Sequence, residues 1–130
     1  MITEDYVSFE TAKLLKEKGF DENCAALYHL RTGEIIQQGV GYVFNNSQWE
    51  NFITAPTLQM AMKWLRNKHD IVCAVGLFTD LPKTPPYWSF NILNQSTADV
   101  MFEAFDIKCE TYEEACEAAI KYCLENLIKI

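Results

Sequence analysis

The stretch Ala55–Ile71, APTLQMAMKWLRNKHDI, decides how the chain is read. Thr57, just behind Pro56, suits a helix N-cap, and His69 suits the negative end of the helix. Leu58, Ala61, Met62 and Leu65 recur on one stripe at helical spacing. A helix here divides the chain into two strand-rich stretches. Met60 and Trp64 lie off that stripe, on the order of 100–160° from Leu58 and Leu65. A helix apolar on two sides is either sandwiched within its own fold or offers one side to a partner. Trp and Met are enriched in interface cores, and loops concentrate binding residues. Met60 and Trp64, with Trp49 of the polar loop before them, are therefore the candidate interface residues. A second copy of the chain, ahead of the chain's own proline-rich segment, is the expected cover for Met60 and Trp64.

Working outward, Ser8 to Lys18 reads as a helix capped by Ser8 and stopped by Gly19. Cys24 to Arg31 and Glu34 to Phe44 read as a hairpin around Thr32-Gly33, with Gly39 and Gly41 marking a bulge or a close backbone approach. NNSQWENF (45–52) reads as a loop. Ile71 to Thr79 is a strand rich in Val, Ile and Phe. DLPKTPP (80–86) reads as an irregular connection, and Tyr87 to Leu93 as the next strand, with Trp88, Phe90 and Ile92 on its core face. Residues 100–109 read ambiguously, a helical turn over Val100 to Phe105 followed by a short strand over Asp106 to Cys109 being one reading. Thr111 to Ile128 is the clearest helix, with Tyr112, Cys116, Ala119, Ile120, Cys123 and Leu127 on one stripe. On its opposite side Glu117–Lys121 and Glu125–Lys129 are spaced as i,i+4 pairs. The reading is one α+β domain over residues 1–130, in the order helix, hairpin, helix, hairpin, helix. Its antiparallel sheet carries the helices largely on one face.

The chain of 130 residues is 49% apolar and 22% charged, as globular domains are. Its start, MITEDYVSFE, has acids where an export signal has lysines, and no apolar run is long enough to span a bilayer. Five cysteines with no CxxC pair fit a reducing compartment, so a cytoplasmic location is expected. The net charge of −7 disfavours nucleic acid, whose phosphates are held by clustered Lys and Arg. Lys63, Arg66 and Lys68 read as a solvated face of the middle helix.

Three segments carry a resemblance: DYVSFETAKLLKEKGFDE, APTLQMAMKWLRNKHDI and TYEEACEAAIKYCLENLI. The chain resembles a set of small proteins of gut bacteria, their prophages and other mobile elements, and their phages. In that set SFETAKLLKEKGF, APTxxxAxKWLR and TYEEAxEAAI motifs recur in this order. The match covers under half of the chain, and Phe78 to Lys108 departs from it most. The resemblance implies a small cytosolic accessory protein of a mobile element and brings no catalytic residues with it.

The residues themselves weigh against several chemistries. Cys116 and Cys123 lie on the core stripe of the last helix and Cys73 in an apolar strand, where thiols are inert. Cys24 and Cys109, near element ends, are the expected exposed thiols. His29 and His69 have nothing at metal-ligand spacing around them. Glu113, Glu114 and Glu117 suit the first turns of a helix and water. Gly39 and Gly41 belong to no phosphate-binding motif. The sequence thus implies no cofactor and no catalytic or metal residues. The expected function is a non-enzymatic protein-interaction module, homodimeric or bound to a host or phage protein. The alternative is a ligand-binding protein or enzyme with a site near Trp49, the 80s loop, and Cys24 or His29.

Overall fold

A computed structural model describes residues 2–37, 44–46, 50–80, 82–104 and 106–129. Among these residues the chain forms three helices and two three-stranded antiparallel sheets, a mixed α+β architecture. The elements are α1 (Phe9–Glu17), β1 (Ala26–His29), β2 (Ile35–Gln37), β3 (Phe52–Thr54), α2 (Leu58–His69), β4 (Ile71–Asp80), β5 (Thr84–Asn94), β6 (Val100–Glu103) and α3 (Tyr112–Asn126). The first sheet has the order β2-β1-β3 and the second β4-β5-β6.

Each helix begins on a hydroxyl cap, as the sequence indicates. The side chains of Ser8, Thr57 and Thr111 accept from the backbone N–H of Thr11, Met60 and Glu114. The end of α1 is equally local in origin. Gly19 takes a left-handed φ of 94°, which lets Phe20 N–H reach Leu15 C=O at 2.9 Å and Gly19 N–H reach Lys16 C=O at 3.2 Å. This is a Schellman closure, and its customary apolar contact brings Phe20 inward. Both Phe20 and Leu15 are fully buried.

α3 is the central packing element. It lies on β4 and β5, with α1 and α2 beside it, while β3 joins the first sheet to α1. One continuous hydrophobic cluster runs through all of these, from Val7 and Leu15 through Ile53, Leu58 and Leu65 to Phe90, Ile92, Ile120 and Leu124. The buried stripe of α3 consists of Ala115, Cys116, Ala119, Ile120, Cys123 and Leu124, so Tyr112 and Leu127 sit at its margin.

The structure corrects the sequence reading in four places. Each expected hairpin gains a third strand: β3 begins at Phe52, the last residue of the stretch read as a loop, and β6 occupies Val100–Glu103, within the stretch for which a helical turn is one reading. The sheet is therefore two sheets, and the plain helix–hairpin alternation does not hold. β5 begins at Thr84, so Pro85 and Pro86 are strand residues. They are tolerated because they are exposed at the strand's start, beyond a register shift between Phe78 and Asp80. The short strand expected at Asp106–Cys109 is reduced to a bridge between Cys109 and Trp88. The second strand of the first hairpin is described only over Ile35–Gln37 and at Phe44, which bridges Cys24; Gly39 and Gly41 lie outside the described residues.

Candidate interaction surface

The three candidate interface residues have different fates. Trp64 is 5% exposed within its own chain. Its ring meets Phe20 edge-on at 5.4 Å and His69 at 4.7 Å. The α1 terminus therefore covers Trp64, in place of the second copy or the proline-rich segment expected from the sequence. The physical reason is the Schellman turn at Gly19, which delivers Phe20 to the second side of α2. His69, against the indole, is held below the usual histidine pKa because burial penalises its charged form. Met60 stays 37% exposed, with its sulfur 3.8 Å from the Cys24 thiol. Met60, Lys63, Asn67 and Lys68 of α2 face Glu22 and Asn23 across an open groove of about 480 Å³. Trp49 lies outside the described residues.

Of the alternative site, Trp49 lies outside the described residues, and the structure describes Cys24, His29 and part of the 80s loop. Cys24 is buried beside α2, and burial pushes its thiol up to about 11, far from a nucleophile at neutral pH. His29 lies at the end of β1, with Nδ1 accepting from Arg31 N–H and its ring on Phe52. Lys83 lies in the β4–β5 connection, where its N–H reaches Asp80 C=O. Among the described residues no hydrogen bond or ring contact joins these three positions. Cys24 thus corrects the expectation of an exposed thiol, whereas Cys109 is partly exposed. Cys116 is buried and its thiol is raised to about 11, again by burial. Cys123 is buried too, and its thiol is pushed up by the Cys73 thiol, 3.8 Å away, and by burial. Cys73 itself is only half-buried, although the sequence placed it in an apolar strand. Among the described residues no group of three or more His, Cys, Asp or Glu side chains is placed to hold a metal ion.

Two charged side chains of α3 change role. Glu117, read as a solvated residue of α3, docks on the start of α1. It accepts from Ser8 N–H at 2.9 Å, from the Ser8 hydroxyl at 3.0 Å and from the Thr11 hydroxyl. In a capping box the residue three after the cap closes back on the cap's own N–H. That position in α1 is Thr11, and Glu117 supplies the missing carboxylate from another helix. Lys121 turns to Glu10 at 3.0 Å rather than to Glu117, so the expected i,i+4 pair is replaced by a bridge between helices. That bridge lowers the Glu10 carboxyl and raises Lys121.

No family model, curated protein or solved structure matches the chain. The surface must therefore be read from its own chemistry.

Among the described residues, an apolar surface outside the core lies on the second sheet. α3 and α2 cover one face, where Ile71, Phe90 and Ile92 are buried and Cys73 and Val75 pack on the core. The two-residue period sends Val72, Ala74 and Phe78 of β4 to the other face, beside their partners Leu93, Asn91 and Tyr87. Phe78 and Tyr87 stack there with centroids 6.1 Å apart. Val100, opposite Leu93, and Met101 extend the patch, at 53% and 41% exposure. None of these residues belongs to the hydrophobic core or packs against it. At Gly76 an added Cβ would meet only the Phe78 ring, at 3.8 Å. Trp88, expected on the core face, is half-buried against Tyr112. Ser89, on the outer side, is buried because its hydroxyl serves the carbonyls of Ala104 and Ile107. No helix is long and apolar enough to cross a membrane among the described residues.

Proposed function

We propose that this protein is a non-enzymatic interaction module, and that it binds protein through the outer side of its second sheet. The observation that carries the reading is the row of Val72, Ala74, Phe78, Leu93, Val100 and Met101, which no described element covers. Contiguous apolar surface of this kind on a folded domain marks an interaction site. The thiols support the reading from the other direction, since burial and proximity raise Cys24, Cys116 and Cys123 away from the range of a nucleophile. The resemblance of its three helical segments to small proteins of mobile elements supports an accessory role in the cytoplasm, with itself or a host or phage protein as partner. Met60 and the groove beside it are a second, smaller contact point on the same reading.

The test is the paired substitution Phe78→Lys with Leu93→Lys. The pair is expected to leave the melting temperature within a few degrees of the parent protein. It is also expected to abolish retention of any protein that co-purifies with the parent. A steep loss of stability would show that this face is internal to the fold and would overturn the reading.

A further inference from the structure

Four strands form sheet edges among the described residues, and two of them are blunted; β2 is described only over Ile35–Gln37, where the described residues break off. β3 has three residues. β6 has four, a register shift against β5, and Glu103 at its end. β4 is different: it runs ten residues and has neither charge nor proline from Ile71 to Thr79. Edges left long, straight and uncharged pair with other chains, which is why shortness, charge, proline and bulges protect natural ones. β4 acquires such protection only at Asp80, where its register shifts.

The ladder fixes which backbone groups of β4 face outward. Trp88 exchanges hydrogen bonds with Cys109, and Phe90 C=O accepts from Ala104 N–H, so these residues of β5 use their backbone on the β6 side. Asp70 C=O accepts from Gln95 N–H on the other side. By the alternation of an antiparallel ladder, Val72, Ala74, Gly76 and Phe78 then bond β5, and Cys73, Val75 and Leu77 point their N–H and C=O away from the sheet. No described residue bonds those outward groups of Val75 or Leu77. Leu77 is 60% exposed.

We propose that a second copy of this chain pairs antiparallel with β4, edge to edge, on a two-fold axis at Gly76. The pairing makes one six-stranded sheet across two chains. The inference rests on the interaction-module reading and names its partner. Uncharged self-complementarity points to the partner, and charge disfavours the register one residue back. Nine uncharged residues are complementary to themselves, as a two-fold interface requires. With the axis at Gly76, Val75 bonds Leu77 of the partner subunit, and the exposed Leu77 side chain gains a Val neighbour. Gly76 meets its own counterpart in the non-hydrogen-bonded position, where Cα atoms approach to about 4.5 Å. Phe78 falls opposite the small Ala74 of the partner subunit, and Asp80 opposite its Val72. With the axis one residue back, at Val75, Asp80 would face the partner's Asp70, and like charges directly opposite destabilise a sheet.

Sedimentation equilibrium of the intact protein is expected to give twice the chain mass of 15.0 kDa. Leu77→Lys is expected to halve that mass without changing the melting transition of the single chain. Gly76→Cys, treated with copper–phenanthroline, is expected to give a covalent dimer on a non-reducing gel. The Cα separation suits a disulfide and the added Cβ has room. Ala74→Cys and the parent protein, treated alike, are expected to give none. A single-chain mass at every concentration, a foreign strand on β4 of a monomer, or cross-linking at position 74 in place of 76 would overturn the proposal. The two readings fail separately. If the parent is monomeric while Phe78→Lys with Leu93→Lys stays folded, the second copy is lost and the interaction module stands. If that pair unfolds the chain, the open face itself is refuted.

Discussion

The junction of the three helices and the β4 side of the second sheet are built on opposite principles. At the junction the named groups have internal partners: Phe20 closes over Trp64, Glu117 caps α1 from α3, and Lys121 reaches Glu10. Along β4 the apolar residues are just as dense, yet Leu77 is exposed and the outward backbone groups of Val75 and Leu77 have no partner among the described residues. Apolar content alone does not say where a core is, and the pairing of backbone groups adds to it, because unpaired backbone groups are costly where water or another chain cannot reach them. Stability should therefore reside at the junction and association along β4.

That division can be broken most severely at Trp64. Trp64→Ala is expected to cost about 3–5 kcal/mol, as large-to-small changes in filled cores do, and to leave mass in solution unchanged at concentrations where the chain stays folded. Urea unfolding together with sedimentation reads both quantities. A mild effect on stability with a loss of mass would move Trp64 back to an interface.

Glu117 comes next. Glu117→Ala strands the Ser8 N–H and the buried Thr11 hydroxyl, and a cost of about 1–3 kcal/mol is expected. Glu117→Gln keeps one acceptor oxygen and should recover part of the loss. If denaturant midpoints show neither variant destabilised, the interhelical cap contributes nothing. Met60→Ala, on the exposed flank of α2, is expected to cost only about 1 kcal/mol, because the side chain already meets water.

Thiol labelling sharpens the same boundary. In the folded protein Cys109 is expected to react with a bulky reagent well before Cys24, Cys116 and Cys123, which are buried and whose thiols are raised. Mass spectrometry after brief labelling orders them, and rapid reaction at Cys116 or Cys123 would refute the packing of α3.

The smallest effect is expected at His69. Its folded pKa lies below the ordinary value, so the fold favours the neutral ring. Its contribution is present above the unfolded pKa of about 6.5 and is lost as pH falls from there through the folded value. Melting temperature should decline over that window, and less so in His69→Gln. Equal declines would remove the indole contact as the cause.

The helices were legible because their signals are local: Ser8, Thr57 and Thr111 as caps, Gly19 as a stop, and the apolar stripes of α2 and α3. Local signals fail where pairing supplies the order. β3 is three residues whose burial comes from packing on β1 and α1, and so short a run after NNSQWENF carries no strand signal of its own. β6 is four residues held by β5. The prolines at 85 and 86 concealed the start of β5, since an exposed strand start beside a register shift excuses a missing N–H that the sequence cannot show to be exposed. At the site, the off-stripe positions of Met60 and Trp64 were visible, but what covers Trp64 was not. The signal was Phe20 directly after Gly19, the place where a Schellman turn puts its inward apolar residue. Glu117 gave no signal, because its partners lie in a helix more than a hundred residues away. The β4 edge could be suspected from nine uncharged residues, although the sequence reading weighed them only as core.

Amide hydrogen exchange, resolved by residue across a concentration series, tests the division most directly. The account predicts that the outward amides of Cys73, Val75 and Leu77 exchange fast in dilute protein and slow as concentration rises. The amides of Ala74 and Gly76, bonded to β5, should stay protected throughout. Outward amides that are slow at every dilution would mean that the chain covers its own edge, and outward amides that stay fast at every concentration would mean that no second copy does.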